Sequence, residues 1–163
     1  MFDETVRQRQ TQVIRIAYRM LGNWADAEDV AQEAFVRLHR HGLDGFLGDA
    51  ALGGWLCRVT VNLCLDRIRS QARWSMTAEL PDLASLAESA EGVVLRNEQK
   101  LRLTAALAEL PERERAAVVL REIEGLSTAE TAAAMGSTEG TVRSQVSKAL
   151  DHLRAMLTTK EKR

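Results

Sequence analysis

The densest run of side chains able to do chemistry lies near the end of the 163-residue chain. Thr141, Arg143, Ser144 and Gln145 sit in the first turns of a segment with helical periodicity, and Ser147, Lys148 and Arg154 continue one polar arc. With such side chains a helix reads base edges in a DNA major groove: a guanidinium fits guanine, a carboxamide fits adenine, and hydroxyls and lysine meet phosphates. From Thr141 onwards six basic residues stand against two acidic ones, Asp151 and Glu161. An ordinary amphipathic surface helix carries a charged arc too, and the turn chemistry in front of this one tips the balance to DNA. Other chemistry finds little support. No G-x-x-x-x-G-K-[ST], H-E-x-x-H or G-x-S-x-G occurs, and His39, His41 and His152 lie on polar helix faces or near loops. Cys57 and Cys64 read as buried thiols seven residues apart, without further ligands at zinc spacing. An active site, a metal, a cofactor and a small-molecule substrate are therefore not expected.

The elements that position this arc have the punctuation of a helix-turn-helix. Pro111 suits the first turn of a helix, Ala116, Ala117, Leu120 and Ile123 recur at helical spacing, and Gly125 can end it in the left-handed region. Ser127 and Glu130 form a capping box for a short helix with Ala132, Ala133 and Met135 inside. Gly136 permits the tight turn and Thr138 caps the last helix, whose stripe is Val142, Val146, Leu150, Leu153 and Leu157. Small alanines let steeply crossing helices approach closely.

Composition predicts an all-α protein: 45% hydrophobic residues, 4% aromatic and two prolines. The net charge of −1 excludes a global basic field, so any DNA contact comes from local faces. There is no run of eighteen apolar residues and no signal-peptide core, which predicts a cytoplasmic chain without membrane insertion.

The N-terminal half reads as three helices. The first, 5–21, carries Val6, Val13, Ile16, Ala17 and Met20 inside and stops at Gly22; Arg7, Arg9, Arg15 and Arg19 lie off the stripe, solvated or facing a partner. The second, 23–42, takes Asp26 as its N-cap and buries Ala27, Val30, Ala31, Ala34 and Leu38, leaving Asp26, Asp29, Gln32, Glu33, Val36 and Arg37 outside. Residues 43–54 hold Gly45, Gly48, Gly53 and Gly54 and read as a loop, either a plain connector or a shaped pocket, with Asp49 as cap of the next helix. That third helix, 55–74, has Trp55, Leu56, Val59, Leu63 and Cys64 inside. Arg58, Asn62, Asp66, Arg69 and Arg73 fall opposite, a surface that suits phosphates, with Trp74 as a stacking platform. Asp66 is placed to pair with Arg69 or Arg73.

From Ser75 to about Val93 there are four acids and no Lys or Arg, the composition of a flexible acidic linker. The domains are then 1–74 and 94–163, with 75–93 between them. Leu95 to Glu109 reads as the first helix of the second domain, with Leu95, Leu101, Ala105 and Ala108 inside. The sequence ends about six residues after Leu157, and no additional regulatory domain is expected.

The stretch LPERERAAVVLREIEGLSTAETAAAMGSTEGTVRSQVSKAL resembles the C-terminal promoter-binding domain of extracytoplasmic-function (ECF) sigma factors. The resemblance is carried by Leu110-Pro111, Arg113 to Arg115, Glu124 to Ser127, Glu130 and Gly140 to Ser144. DAEDVAQEAFVRL is similar to the family's segment that docks on the clamp of the RNA polymerase largest subunit, and W-L-x-R-V-x-x-N-x-x-x-D-R-x-R to its −10 recognition helix. The resemblance spans residues 5 to 157 in the family's own order. It implies a sigma factor that binds core polymerase through Asp26, Asp29, Gln32, Glu33 and Arg37. It implies −10 recognition by Phe46, Asp49, Trp55, Arg58, Asn62, Arg69, Arg73 and Trp74, with Phe46 as a pocket wall and Arg58 and Asn62 nearest the bases. It implies −35 recognition by Thr138, Gly140, Thr141, Arg143, Ser144, Gln145, Ser147 and Lys148. Promoter DNA and an anti-sigma factor are further implied partners, and the linker would thread the polymerase active-site region. With few aromatics near the −10 surface, the family comparison implies a weak melter of promoters.

The sequence departs from the family pattern at Gln145, where arginine is frequent; the carboxamide either reads adenine or faces a phosphate. Lys148-Ala-Leu-Asp151-His152 also stands in place of an arginine-rich run. A stand-alone helix-turn-helix regulator is the rival reading. It would explain 110–157, predict a homodimer on a palindrome, and leave 23–74 as scaffold.

Overall fold

The computed structural model describes residues 2–75 and 98–161. Helices α1 (Phe2–Leu21), α2 (Trp24–His41) and α3 (Asp49–Ser75) form the N-terminal domain. Helix α4 (Glu98–Ala108), α5 (Glu112–Val118), α6 (Thr128–Met135) and α7 (Glu139–Glu161) form the C-terminal one. No strand occurs among the described residues. The acidic linker, apart from Ser75 at the end of α3, and the start expected at Leu95 lie outside them.

Local chemistry sets the boundaries. Gly22 closes α1 at φ +72°, its N–H donating to the Tyr18 carbonyl. The cap of α2 is Asn23, not Asp26: the Asn23 carboxamide oxygen accepts from the Asp26 N–H, which places Asp26 inside the first turn. Helix α3 begins at Asp49, so half of the expected 43–54 loop is helical. Two glycines would weaken such a turn, but Arg9 of α1 holds it. The Arg9 guanidinium bonds the Asp49 carboxylate at 2.7 Å and the Asp49 carbonyl at 2.8 Å. A Cβ on Gly53 would meet the Arg9 Nη1 at 2.7 Å. Absence of a side chain at 53 is what lets the clasp form.

The core of the N-terminal domain packs Val13 of α1, Ala31, Ala34, Phe35 and Leu38 of α2, and Leu52 and Leu56 of α3. A larger cluster runs through both domains, from Ile16, Ala17, Met20, Val61, Cys64 and Leu65 to Leu107, Ala116, Leu120, Met135 and Val142. Helix α3 thus packs on α1 and α2 of its own domain and on α6 of the other. The expected inner face of α3 omitted Thr60, Val61 and Leu65, all buried, while Cys57 is buried as expected of a structural thiol.

The stripe expected on α4 is out of phase. Ala105 and Ala108 are exposed, while Thr104, Ala106, Leu107 and Leu110 are buried. The longer side chains of Leu103 and Leu107 win the core, and Thr104 tolerates burial because its hydroxyl donates to the Lys100 carbonyl at 2.9 Å. Similarly, Ala133 is exposed and Thr131 and Ala134 are buried beside Ala132 and Met135 on α6.

Candidate nucleic-acid interface

The turn in front of the last helix is built as its residues dictate. Pro111 serves as N-cap of α5, one residue before the first helical position. After Val118 the helix widens into a π-helical turn, Val119–Ile123, that no sequence signal foretold. Gly125 then takes φ +77°. The capping box of α6 is complete: the Glu130 N–H donates to the Ser127 hydroxyl (3.0 Å), and the Ser127 N–H to the Glu130 carboxylate (2.9 Å). These bonds hold the Glu130 carboxyl below its ordinary pKa. Gly136 is left-handed at φ +62°, with the Ser137 N–H returning to the Ala132 carbonyl. The Thr138 hydroxyl accepts from the Thr141 N–H at 3.2 Å and caps α7.

Helix α7 buries Val142, Val146, Ala149 and Leu153 and turns the opposite arc outward. Thr138, Gly140, Thr141, Arg143, Ser144, Ser147 and Lys148 are exposed together. Neither Arg143 nor Lys148 has an ion pair among the described residues, so both cations stand free for an anionic ligand. Gln145 departs from the arc: it is half-buried, and its carboxamide oxygen is enclosed without a hydrogen-bond partner among the described residues.

The residues singled out on the N-terminal domain separate into free and engaged groups. Arg58 and Asn62 are exposed one turn apart on α3, with Arg73 further along and Trp74 in its last turn. Asp49 is engaged by Arg9, and Arg69 by Glu112 at 2.7 Å and Asp66 at 3.7 Å. Phe46 and Trp55 meet edge to face at 5.7 Å, and His41 stacks on Phe46 at 4.9 Å and lies tilted against Trp55 at 5.0 Å. His41, exposed at the end of α2, completes a three-ring cluster at the loop that no local sequence pattern foretold. Leu47, 96% exposed at the tip beside this cluster, was also missed, since hydrophobicity alone would send it to the core. Both thiols are free and buried, and desolvation pushes Cys57 up to about 11 and Cys64 to about 12.

On α2, Asp26 and Asp29 both reach Arg67 of α3, at 3.4 and 3.3 Å, and Asp26 accepts from Gln71 at 2.9 Å. Gln32 and Val36 are exposed, and Glu33 pairs with Arg37 at 3.1 Å. Beside them α1 and α2 form a cleft of about 840 Å³ with an apolar floor that includes Val6, Ile14, Phe35 and Val36.

A helix-turn-helix that turns two unpaired cations outward, Arg143 and Lys148, set behind a separate three-helix domain, defines a DNA-binding protein of two helical domains. Residues 5–73 match the family model for sigma-70 region 2, and residues 100–153 that for sigma-70 region 4. The chain is 42% identical over 159 residues to the ECF RNA polymerase sigma factor SigE of Mycolicibacterium smegmatis, across 96% of this chain and 61% of that protein. It is 38% identical over 156 residues to the ECF sigma factor SigM of Mycobacterium tuberculosis, across 96% and 76%. The solved structure of CnrH in complex with the cytosolic domain of CnrY superposes with a TM-score of 0.69 at 26% identity, over 97% of this chain and 88% of that one. The chain belongs to the sigma-70 family, in its extracytoplasmic-function group. No helix among the described residues is long and apolar enough to cross a membrane.

Proposed function

We propose that this chain binds core RNA polymerase and directs it to promoters, with the −35 duplex read by α7 and the −10 strand by α3 and the loop before it. The polymerase supplies the chemistry and this chain supplies selective binding energy. The observation that carries the reading is the free polar arc of α7 behind a region 2 domain in one chain. Arg143 and Lys148 supply charge, and Thr138, Thr141, Ser144 and Ser147 supply hydroxyls around Gly140, where the backbone can approach DNA.

In the N-terminal domain Arg58 and Asn62 lie nearest the bases, Arg69, Arg73 and Trp74 track the strand, and Phe46, Trp55 and Asp49 shape the loop that receives an unstacked base. Gln32, Glu33 and Arg37, with Asp26 and Asp29 beside them, form the polymerase-facing side of α2. A cytoplasmic location follows from the partner. The similar protein CnrH was solved with part of a second protein bound, which supports an anti-sigma factor as the regulator of this chain.

The test is transcription in vitro with purified core polymerase and fragmented genomic DNA, sequencing the RNA 5′ ends. Defined starts that appear only with this protein are expected. No new starts, together with specific duplex binding in a gel shift, would transfer the case to a stand-alone regulator.

A further inference from the structure

Two large hydrophobic side chains are exposed among the described residues, Val36 and Leu47. Val36 lies on α2 and is 42% exposed, whereas Leu47, in the loop between α2 and α3, is 96% exposed. The other apolar side chains of this loop turn inward. Its turn closes from the Phe46 N–H to the Leu43 carbonyl at 3.4 Å, and Leu43 and Phe46 both pack against the core of the N-terminal domain. Leu47 follows directly. Gly48 behind it takes φ +94°, which turns the chain into α3 and sets no side chain next to Leu47.

The loop is tied down on either side of this leucine. Phe46 contacts His41 of α2 and Trp55 of α3, and Arg9 clasps Asp49 through its carboxylate and its carbonyl. The three rings engage one another, which leaves Leu47 as the apolar group of the loop that reaches furthest into solvent. One turn along α3 from Trp55 stands Arg58, exposed and without an ion pair among the described residues, and Asn62 is exposed one turn further. An apolar tip beside a free cation and a free carboxamide is a combination that parts stacked bases. The cation holds phosphate, the tip enters between neighbouring bases, and the carboxamide meets the edges so exposed. A protein interface would instead need an apolar surround. The exposed chain neighbours of Leu47, namely Asp44, Gly45, Gly48 and Asp49, provide none, whereas a gap between two bases takes a single side chain.

We propose that Leu47 is a wedge: its side chain enters a base step of the −10 element and holds that step unstacked while Arg58 and Asn62 take the freed strand. The inference rests on the promoter reading above and adds to it a residue that opens the duplex, distinct from those that read it. Burying the isobutyl group between base faces offsets part of the stacking that is lost. Leucine has no π-face to stack on a base, so the wedge matters while the duplex is being opened and little once it is open.

The full chain is combined with core polymerase on a promoter recovered by the transcription test, once as a duplex and once with the −10 element mismatched and therefore already open. Opening is followed by a fluorescent adenine analogue within the −10 element, and product by transcript yield. With Leu47→Ala the duplex is expected to open roughly tenfold less, while transcript from the mismatched template stays within about twofold of wild type. Leu47→Met, apolar and of similar size, should restore opening, and Leu47→Asn, of similar length but polar, should not. All three variants should melt with the wild type, because so exposed a side chain contributes nothing to the core. Equal losses on the two templates would assign Leu47 to strand or polymerase binding and overturn the wedge, as would a duplex that opens normally in Leu47→Ala. A wild-type chain that yields no promoter at all sinks the promoter reading, and the wedge with it; a loss confined to the variants bears on the wedge alone.

Discussion

The Arg115 guanidinium reaches the Met20 carbonyl at the end of α1, although the two residues lie 95 positions apart. The same group takes the carbonyls of Ala108, the last residue of α4, and of Leu110 just beyond it, at 3.0 Å each. A buried cation normally needs a carboxylate; here the negative ends of two helices serve. Burial pushes the Arg115 pKa down from its ordinary value, yet the group stays charged.

Replacing Arg115 by Ala leaves these carbonyls without their donor and is expected to cost about 3 kcal/mol. Lysine, lacking the planar fork, should recover only part of it. Chemical denaturation of the two variants measures both. A loss below about 1 kcal/mol in the Ala variant would show that water replaces the guanidinium freely.

Asp49 has two possible uses, and Arg9 separates them. Removing the clasp by Arg9→Ala should destabilise the start of α3 by about 1 kcal/mol and weaken −10 strand binding indirectly. Asp49→Ala removes the same ion pair. If Asp49 also touches a base, it must lose more single-strand affinity than Arg9→Ala; equal losses leave Asp49 a structural residue.

The Glu130 carboxyl, held below its ordinary pKa by Ser127, contributes stability that is present above the unfolded-state pKa of about 4.3 and is lost as pH falls through the lower folded value. Glu130→Gln keeps an acceptor at this place but does not titrate. Its Tm deficit relative to wild type should therefore shrink between pH 5 and pH 3, about the window of this loss. A deficit independent of pH would mean the capping box does not feel the charge. Ser127→Ala, which removes one of its bonds, should cost about 1 kcal/mol at neutral pH.

The enclosed oxygen of Gln145 predicts a gain. Gln145→Met has nearly the same shape without the unpartnered acceptor, and should stabilise the domain by about 1 kcal/mol while leaving −35 affinity within a few-fold. A large loss of duplex affinity would show that the carboxamide turns outward to meet DNA.

The polymerase and −35 surfaces should separate by mutation. Glu33→Ala or Asp29→Ala is expected to weaken binding of core polymerase without changing duplex affinity. Arg143→Ala should cost about 1–3 kcal/mol in duplex binding if it reads a base, and mainly flatten the salt dependence if it holds a phosphate. Equal loss of both activities in one variant would contradict two independent surfaces.

Much of the C-terminal domain was legible because its signals are local. Ser127 with Glu130, Gly136 and Thr138 act within three or four residues of themselves, so the caps and turns fall where expected. What the sequence concealed depends on distant partners. Thr60, Thr104 and Thr131 count as polar in any periodicity, yet each is buried, with its hydroxyl donating to a carbonyl of its own helix or cap. The packing of α3 on α6 exists only because another domain lies there, and no window of α3 alone contains that information. The arginines of α1 show the same limit: Arg9, Arg15 and Arg19 were solvated or partner-facing by pattern, and each turns out to tie a different element to α1.

Adjacent glycines at the start of α3 differ in what they would tolerate. Around Gly54 a Cβ meets nothing within 4 Å, whereas at Gly53 it strikes the clasping guanidinium. Alanine at 54 should therefore gain up to about 1 kcal/mol of helix propensity. At 53 the same gain is set against a displaced Arg9. A saturation library across α3 would then show an open position beside a closed one, and the boundary between them maps the seat of a residue more than forty places earlier in the chain.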